Sequence, residues 1–97
     1  MKTLLKPGDM IRIREDIKED ENYYMILSDR NNWRNSNTWT KSMAPANTLI
    51  TITSINQYGQ YLIDYVAQGN EDLGWNYTDQ MFDPEMLEVI LQDRYNL

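Results

Sequence analysis

Neither histidine nor cysteine occurs in the 97 residues, so the side chains that usually titrate near neutral pH or act as thiolate nucleophiles are missing. Acid and base work would fall to a pair of carboxylates, as in glycosidases. Such a pair needs a substrate cleft between its members, and a core of this size rarely surrounds one. The expectation is a non-enzyme without a cofactor. Asp16, Glu19, Asp20 and Glu21 are candidate oxygen ligands for a hard cation. They lack the EF-hand spacing, with its glycine and terminal glutamate, and read as a solvated loop, leaving no metal site. Asp79 and Asp83 stand around a predicted helical turn, where capping is the ordinary task of a carboxylate.

Binding chemistry is better represented. Trp33 and Trp39 lie among Asn, Ser, Thr and the basic residues Arg30, Arg34 and Lys41, with no apolar period that would turn them inward. Trp and Arg are the types most enriched at binding hot spots, and the same mixture can stack on single-stranded nucleic acid. A hydrophobic plug beneath a long loop is the other reading of the two tryptophans. Tyr58, Tyr61 and Tyr65 recur around one predicted hairpin, either lining a groove as in peptide-binding SH3 domains or packing across strands. Trp75, Tyr77, Met81 and Phe82, at strand-then-turn spacing, read as a corner of the core.

Charge divides the chain. Residues 1–41 hold eight Lys or Arg against seven Asp or Glu, whereas residues 42–97 hold one against eight, within a net charge of −6. No basic residue falls between Lys41 and Arg94, so a surface built from that stretch repels a phosphate backbone and disfavours double-stranded DNA. Its acids, Glu71 and Asp72 among them, either keep a small protein in solution or attract a basic partner. The absence of cysteine and of a signal-peptide pattern at Met1–Pro7 leads to the expectation of a cytoplasmic protein. Apolar runs of a few residues fall far short of the roughly 20 that span a bilayer as a helix.

The elements that would position these residues are mostly strands, within one domain spanning residues 1–97. Pro7-Gly8-Asp9 is a turn, and Met10-Ile11-Arg12-Ile13-Arg14 alternates, with Ile11 and Ile13 on one face. The acidic stretch 15–22 reads as a loop, Tyr23–Leu27 as a short strand or helical turn, and residues 28–40 as a long exposed loop. Thr48–Ile55 is β-branched almost throughout, with a shift that brings Ile55 inward as a bulge would. Asn56–Gly59 turns the chain and residues 60–66 return as a strand. Gly69, Asn70 and Gly74 bracket another loop, Trp75–Tyr77 is a short strand, and a 3₁₀ or α turn is expected at residues 78–81. Asp83-Pro84-Glu85 is a good helix start, but Val89 and Ile90 favour a strand over residues 84–91 that closes against the first. Residues 92–97 read as a tail, leaving a core over residues 7–91.

Several of these segments resemble a known group. Gly8-Asp9-Met10-Ile11-Arg12-Ile13-Arg14-Glu15-Asp16-Ile17 near the start and Trp75-Asn76-Tyr77-Thr78-Asp79-Gln80-Met81-Phe82 near the end are similar to the opening and closing motifs of small phage and mobile-element SH3-like proteins. Met43 and Thr51-Ile52 fall between them in the same order, and the likeness covers residues 7–86. Tyr77 stands where Trp is common, and Gln80 where Glu is common. The resemblance implies a mainly β fold, a five-stranded SH3-like barrel with one short helical turn and a long loop, and binding without catalytic residues.

Together these readings lead to a non-enzymatic protein-binding accessory of a phage or mobile element, acting in the host cytosol. An acidic inhibitor of a host defence nuclease, of the anti-CRISPR kind, is the sharpest form of that expectation, with a basic nucleic-acid-handling enzyme as partner. The binding residues are then Arg30, Trp33, Arg34, Trp39, Tyr58, Tyr61, Glu71 and Asp72. The alternative is a single-strand nucleic-acid binder using the Trp and Arg residues of segment 28–41.

Overall fold

Side chains at Ile11 and Ile13 are completely buried while Met10, the residue before Ile11, faces outward, which is the period-2 pattern of a strand with one face on the core. The computed structural model of the protein describes residues 3–27, 35–65 and 75–95. Among them the chain forms β1 (Met10–Arg12), β2 (Asn22–Tyr24), β3 (Ser36–Thr38), β4 (Leu49–Ile55), β5 (Tyr61–Ile63), a 3₁₀ turn (Asp79–Met81) and helix α1 (Pro84–Tyr95).

The strands make two antiparallel sheets, one in the order β1-β4-β5 and one pairing β2 with β3. Entry to β1 is set by Lys6-Pro7-Gly8-Asp9, in which Asp9 N donates to Lys6 O at 3.1 Å and Gly8 takes a φ of 95°. Proline before a left-handed glycine is the arrangement of a type II turn. The register Ile11↔Ile50 puts two buried isoleucines opposite each other. On β4 the register shifts between Ile52 and Ser54, so the expected bulge is present and Ile55 packs against the core. Asn56 holds the following turn with its Oδ1, which accepts from the amides of Tyr58 and Gln60 at 2.9 Å each.

The mainly β class holds, but the ladders of the described residues do not close into a five-stranded barrel. The segment after residue 75 instead crosses between the two edge strands of the three-stranded sheet by single bridges. Tyr77 pairs with Tyr61 on β5, and Phe82 with Ile13 just beyond β1. The expected strand at 75–77 is thus one bridge, and the expected helical turn is the 3₁₀ turn at Asp79–Met81.

Residues 84–91 are a correction: they are helical, and α1 continues through Tyr95, where a tail was expected. Asp83 Oδ1 accepts from Glu85 N at 2.9 Å, capping a helix that begins with proline, a residue suited to that first position. Leu87 is buried, and Met86, Ile90 and Leu91 pack beside it, a 3–4 period that outweighs the β preference of Val89 and Ile90. The free edge of β1 is still covered. Asp83 N donates to Arg12 O at 2.8 Å, and α1 then runs back past the strand to an Arg94–Asp9 ion pair at 2.7 Å.

A second correction lies in the segment read as a loop over residues 28–40. Ser36–Thr38 is a strand, paired Tyr23↔Asn37, and residues 28–34 lie outside the described residues. Its Ser-Asn-Thr composition carries no alternation, because what holds it is the backbone ladder and the polar side chains around it. Asn37 Nδ2 donates to Asn76 O at 2.7 Å, and Gln60 Nε2 to Ser36 O at 3.3 Å. Asn22, assigned from sequence to the acidic loop, is the first residue of β2.

Candidate functional site

The residues expected to bind separate into three groups. Arg30, Trp33, Arg34, Glu71 and Asp72 lie outside the described residues. Trp39 follows β3, where it forms a parallel bridge with Glu19. Its ring packs against the core and its indole Nε1 donates to Ala44 O at 2.9 Å, so its polar handle is used internally, as a plug would use it. Tyr58 is half-buried in the turn after β4.

Tyr61 is a correction, because it is 0 % exposed and cannot line a surface groove. Its hydroxyl donates to Asp79 Oδ1 at 2.6 Å and accepts from Leu5 N at 3.2 Å. Asp79 is likewise no cap. It is 1 % exposed, and its Oδ2 accepts from Ile26 N at 2.9 Å. Burial pushes the Asp79 carboxyl upward, against the opposing pull of the hydrogen bonds from Tyr61 and Ile26. Burial is also the main cause that raises Tyr61, with the Asp79 charge adding to it. Around this pair, Thr78 Oγ1 donates to Tyr23 O at 3.0 Å and Gln80 Oε1 accepts from Tyr24 N at 3.1 Å. The short Thr-Asp-Gln run therefore ties β2 to the rest of the molecule, a structural role with no access for a substrate.

Trp75, Tyr77, Met81 and Phe82 do form the expected corner. The last three are buried, Trp75 packs on them partly exposed, and the rings of Tyr77 and Phe82 stack with centroids 6.4 Å apart. Burial raises the Tyr77 hydroxyl to about 12 even though it accepts a 2.7 Å bond from Ala44 N.

The described residues form a strongly charged cleft of about 450 Å³ lined by Arg14, Glu15, Asp16, Asn47, Asp83, Pro84 and Glu85. One wall is the turn that follows β1 and the other is the start of α1. Four carboxylates and one guanidinium line it, and that guanidinium is already engaged. Arg14 Nε meets Asp16 Oδ1 at 2.6 Å, Nη2 meets Oδ2 at 3.2 Å, and Nη1 donates to Gln80 O at 3.0 Å. Arg14 also lies 5.9 Å from the centroid of the Tyr23 ring. The Arg14 pair holds Asp16 below its usual carboxylate range. Among the described residues Glu15, Asp83 and Glu85 make no salt bridge, so the cleft keeps an excess of negative charge.

Beside the cleft runs an apolar groove of about 360 Å³ lined by Met10, Glu85, Met86, Val89 and Ile90. Glu85 belongs to both walls. No protein-family model matches the chain, and no curated protein and no solved structure is significantly similar to it.

Among the described residues no group of three or more acids is placed to hold a metal ion, and no helix is long and apolar enough to cross a membrane. Sequence reasoning passed over Glu15, Glu85, Met10 and Val89 as site residues. The signal was available in the helical reading of residues 84–91, which sets Glu85 and Val89 one turn apart on one face.

Proposed function

We propose that this chain is a non-enzymatic, SH3-like protein-binding domain that offers an acidic surface to a basic partner. The observation that carries the reading is the cleft between the Arg14–Asp16 turn and the start of α1, lined by four carboxylates and by one arginine that is already paired with Asp16. Carboxylates fixed in this way accept charge-assisted bonds from Lys or Arg, the groups that nucleic-acid-handling enzymes direct at phosphates. An accessory of a phage or mobile element that inhibits such an enzyme in the host cytosol fits this chemistry. The paired bridges Ile13↔Phe82 and Tyr61↔Tyr77 support the SH3-like part of the reading, as a closing strand reduced to single contacts at the two sheet edges.

The experiment is affinity capture of the tagged protein from host lysate, with and without nuclease treatment and at raised salt. The reading expects one basic protein retained after nuclease and released by salt. Capture that vanishes with nuclease would transfer the function to single-strand nucleic-acid binding.

A further inference from the structure

The groove beside the cleft gathers two of the exposed large apolar side chains of the described residues. Met10, 55 % exposed, projects from the outer face of β1 towards Met86 and Ile90, and Val89 is 66 % exposed on α1. Methionines and aliphatic side chains in a shallow groove accommodate an apolar side chain of variable shape. The charge around it narrows what can lie there. Glu85 forms one wall, and Glu88 and Asp93 are exposed further along the same helix. Arg12 stands against them with its Nη1 3.6 Å from Met86 Sδ.

An anionic lipid surface or a nucleic acid would meet these carboxylates as like charge. A second copy of the chain docked on the same groove would bring an identical acidic rim against the first. A basic segment finds its complement in Glu85, the one charged residue among those that line the groove. We propose that the groove receives an aliphatic side chain from a partner segment whose flanking Lys or Arg residues pair with Glu85 and reach the neighbouring cleft. This rests on the protein-binding reading above and specifies the ligand: basic residues on both sides of one Leu, Ile, Val or Met.

Fluorescence anisotropy with four short labelled peptides tests it: one of Lys, Gly and Ser, the same peptide with a central Leu, a neutral peptide with that Leu, and a Glu-containing peptide with that Leu. The Lys–Leu peptide should bind about tenfold more tightly than the Lys peptide without Leu, the order of magnitude that burying one aliphatic side chain contributes. Val89→Asp should abolish this difference without weakening the Lys peptide, because the new charge is attractive to lysine, and Met10→Thr should reduce it too. Glu85→Lys should weaken both basic peptides. Equal affinity of the two basic peptides overturns the groove and leaves the acidic surface standing. Neutral or acidic Leu peptides that bind as well as the Lys–Leu peptide overturn the stated ligand. Failure of both basic peptides to bind overturns this inference and the protein-binding reading together. A dimer in sedimentation equilibrium that Val89→Asp dissociates assigns the groove to a second copy and overturns the proposal.

Discussion

Tyr61 and Asp79, eighteen positions apart in sequence, share a 2.6 Å hydrogen bond at the centre of the molecule. Around that bond the segment at Leu5, strand β5, the 3₁₀ turn and the turn after β2 at Ile26 are held by two side chains. Tyr61→Phe removes the hydroxyl from both partners and leaves a buried carboxylate oxygen and a buried amide unsatisfied. The expected loss of stability is about 1–3 kcal/mol, read from urea unfolding midpoints.

The same carboxylate gives stability a specific pH dependence. Burial raises the Asp79 pKa above its ordinary 3.8 in the folded state. Between that value and the raised one, the folded chain holds a proton that the unfolded chain has released. Stability from this group is therefore greatest in acid and falls as pH rises through the window. Asp79→Asn should flatten the dependence, so the difference in unfolding midpoint between the variant and the parent moves in the variant's favour as pH rises above about 4.

Arg94 and Asp9 form a two-pronged ion pair, with both bonds at 2.7 Å, that fastens the last turn of α1 to the turn before β1. The guanidinium, helped by Lys6 N, keeps Asp9 below its ordinary 3.8. That contribution is present above 3.8 and is lost as pH falls through the lowered value, the opposite sign to Asp79. Arg94→Ala should cost about 0.5–1 kcal/mol, as a partly exposed pair does, and should speed amide exchange most at residues 91–95.

Gly8 tests a backbone requirement alone. Its φ is 95°, and a Cβ added there would meet nothing within 4 Å. Gly8→Ala should therefore destabilise by about 1–2 kcal/mol through the left-handed conformation itself, with no packing change visible in the spectra of Ile11 and Ile52.

Much of this frame was legible where side chains alternate. Ile11 and Ile13 marked β1, the β-branched run at 48–55 marked β4 with its bulge, and Thr78-Asp79-Gln80-Met81 marked the 3₁₀ turn. Sequence failed where two preferences compete or where side chains do not decide. At Val89 and Ile90, strand propensity conflicted with the helical spacing of Met86, Leu87, Ile90 and Leu91, and tertiary packing chose the helix. Ser36–Thr38 is strand only because Asn22–Tyr24 pairs with it. Asp79 carries no sequence mark of burial, since an acid beside a turn is usually a solvated cap. The site was harder still, because Glu15 and Glu85 meet only once α1 is folded back beside β1.

The acidic cleft is tested most directly by capture from host lysate with Glu15→Lys and Glu85→Lys combined, beside the parent protein and with thermal melts confirming that both fold. Both positions are exposed, so reversal alters charge with little effect on packing. The proposal predicts that the basic protein retained by the parent after nuclease treatment is lost from the double variant. Retention of the same protein by both would contradict the cleft as the binding surface.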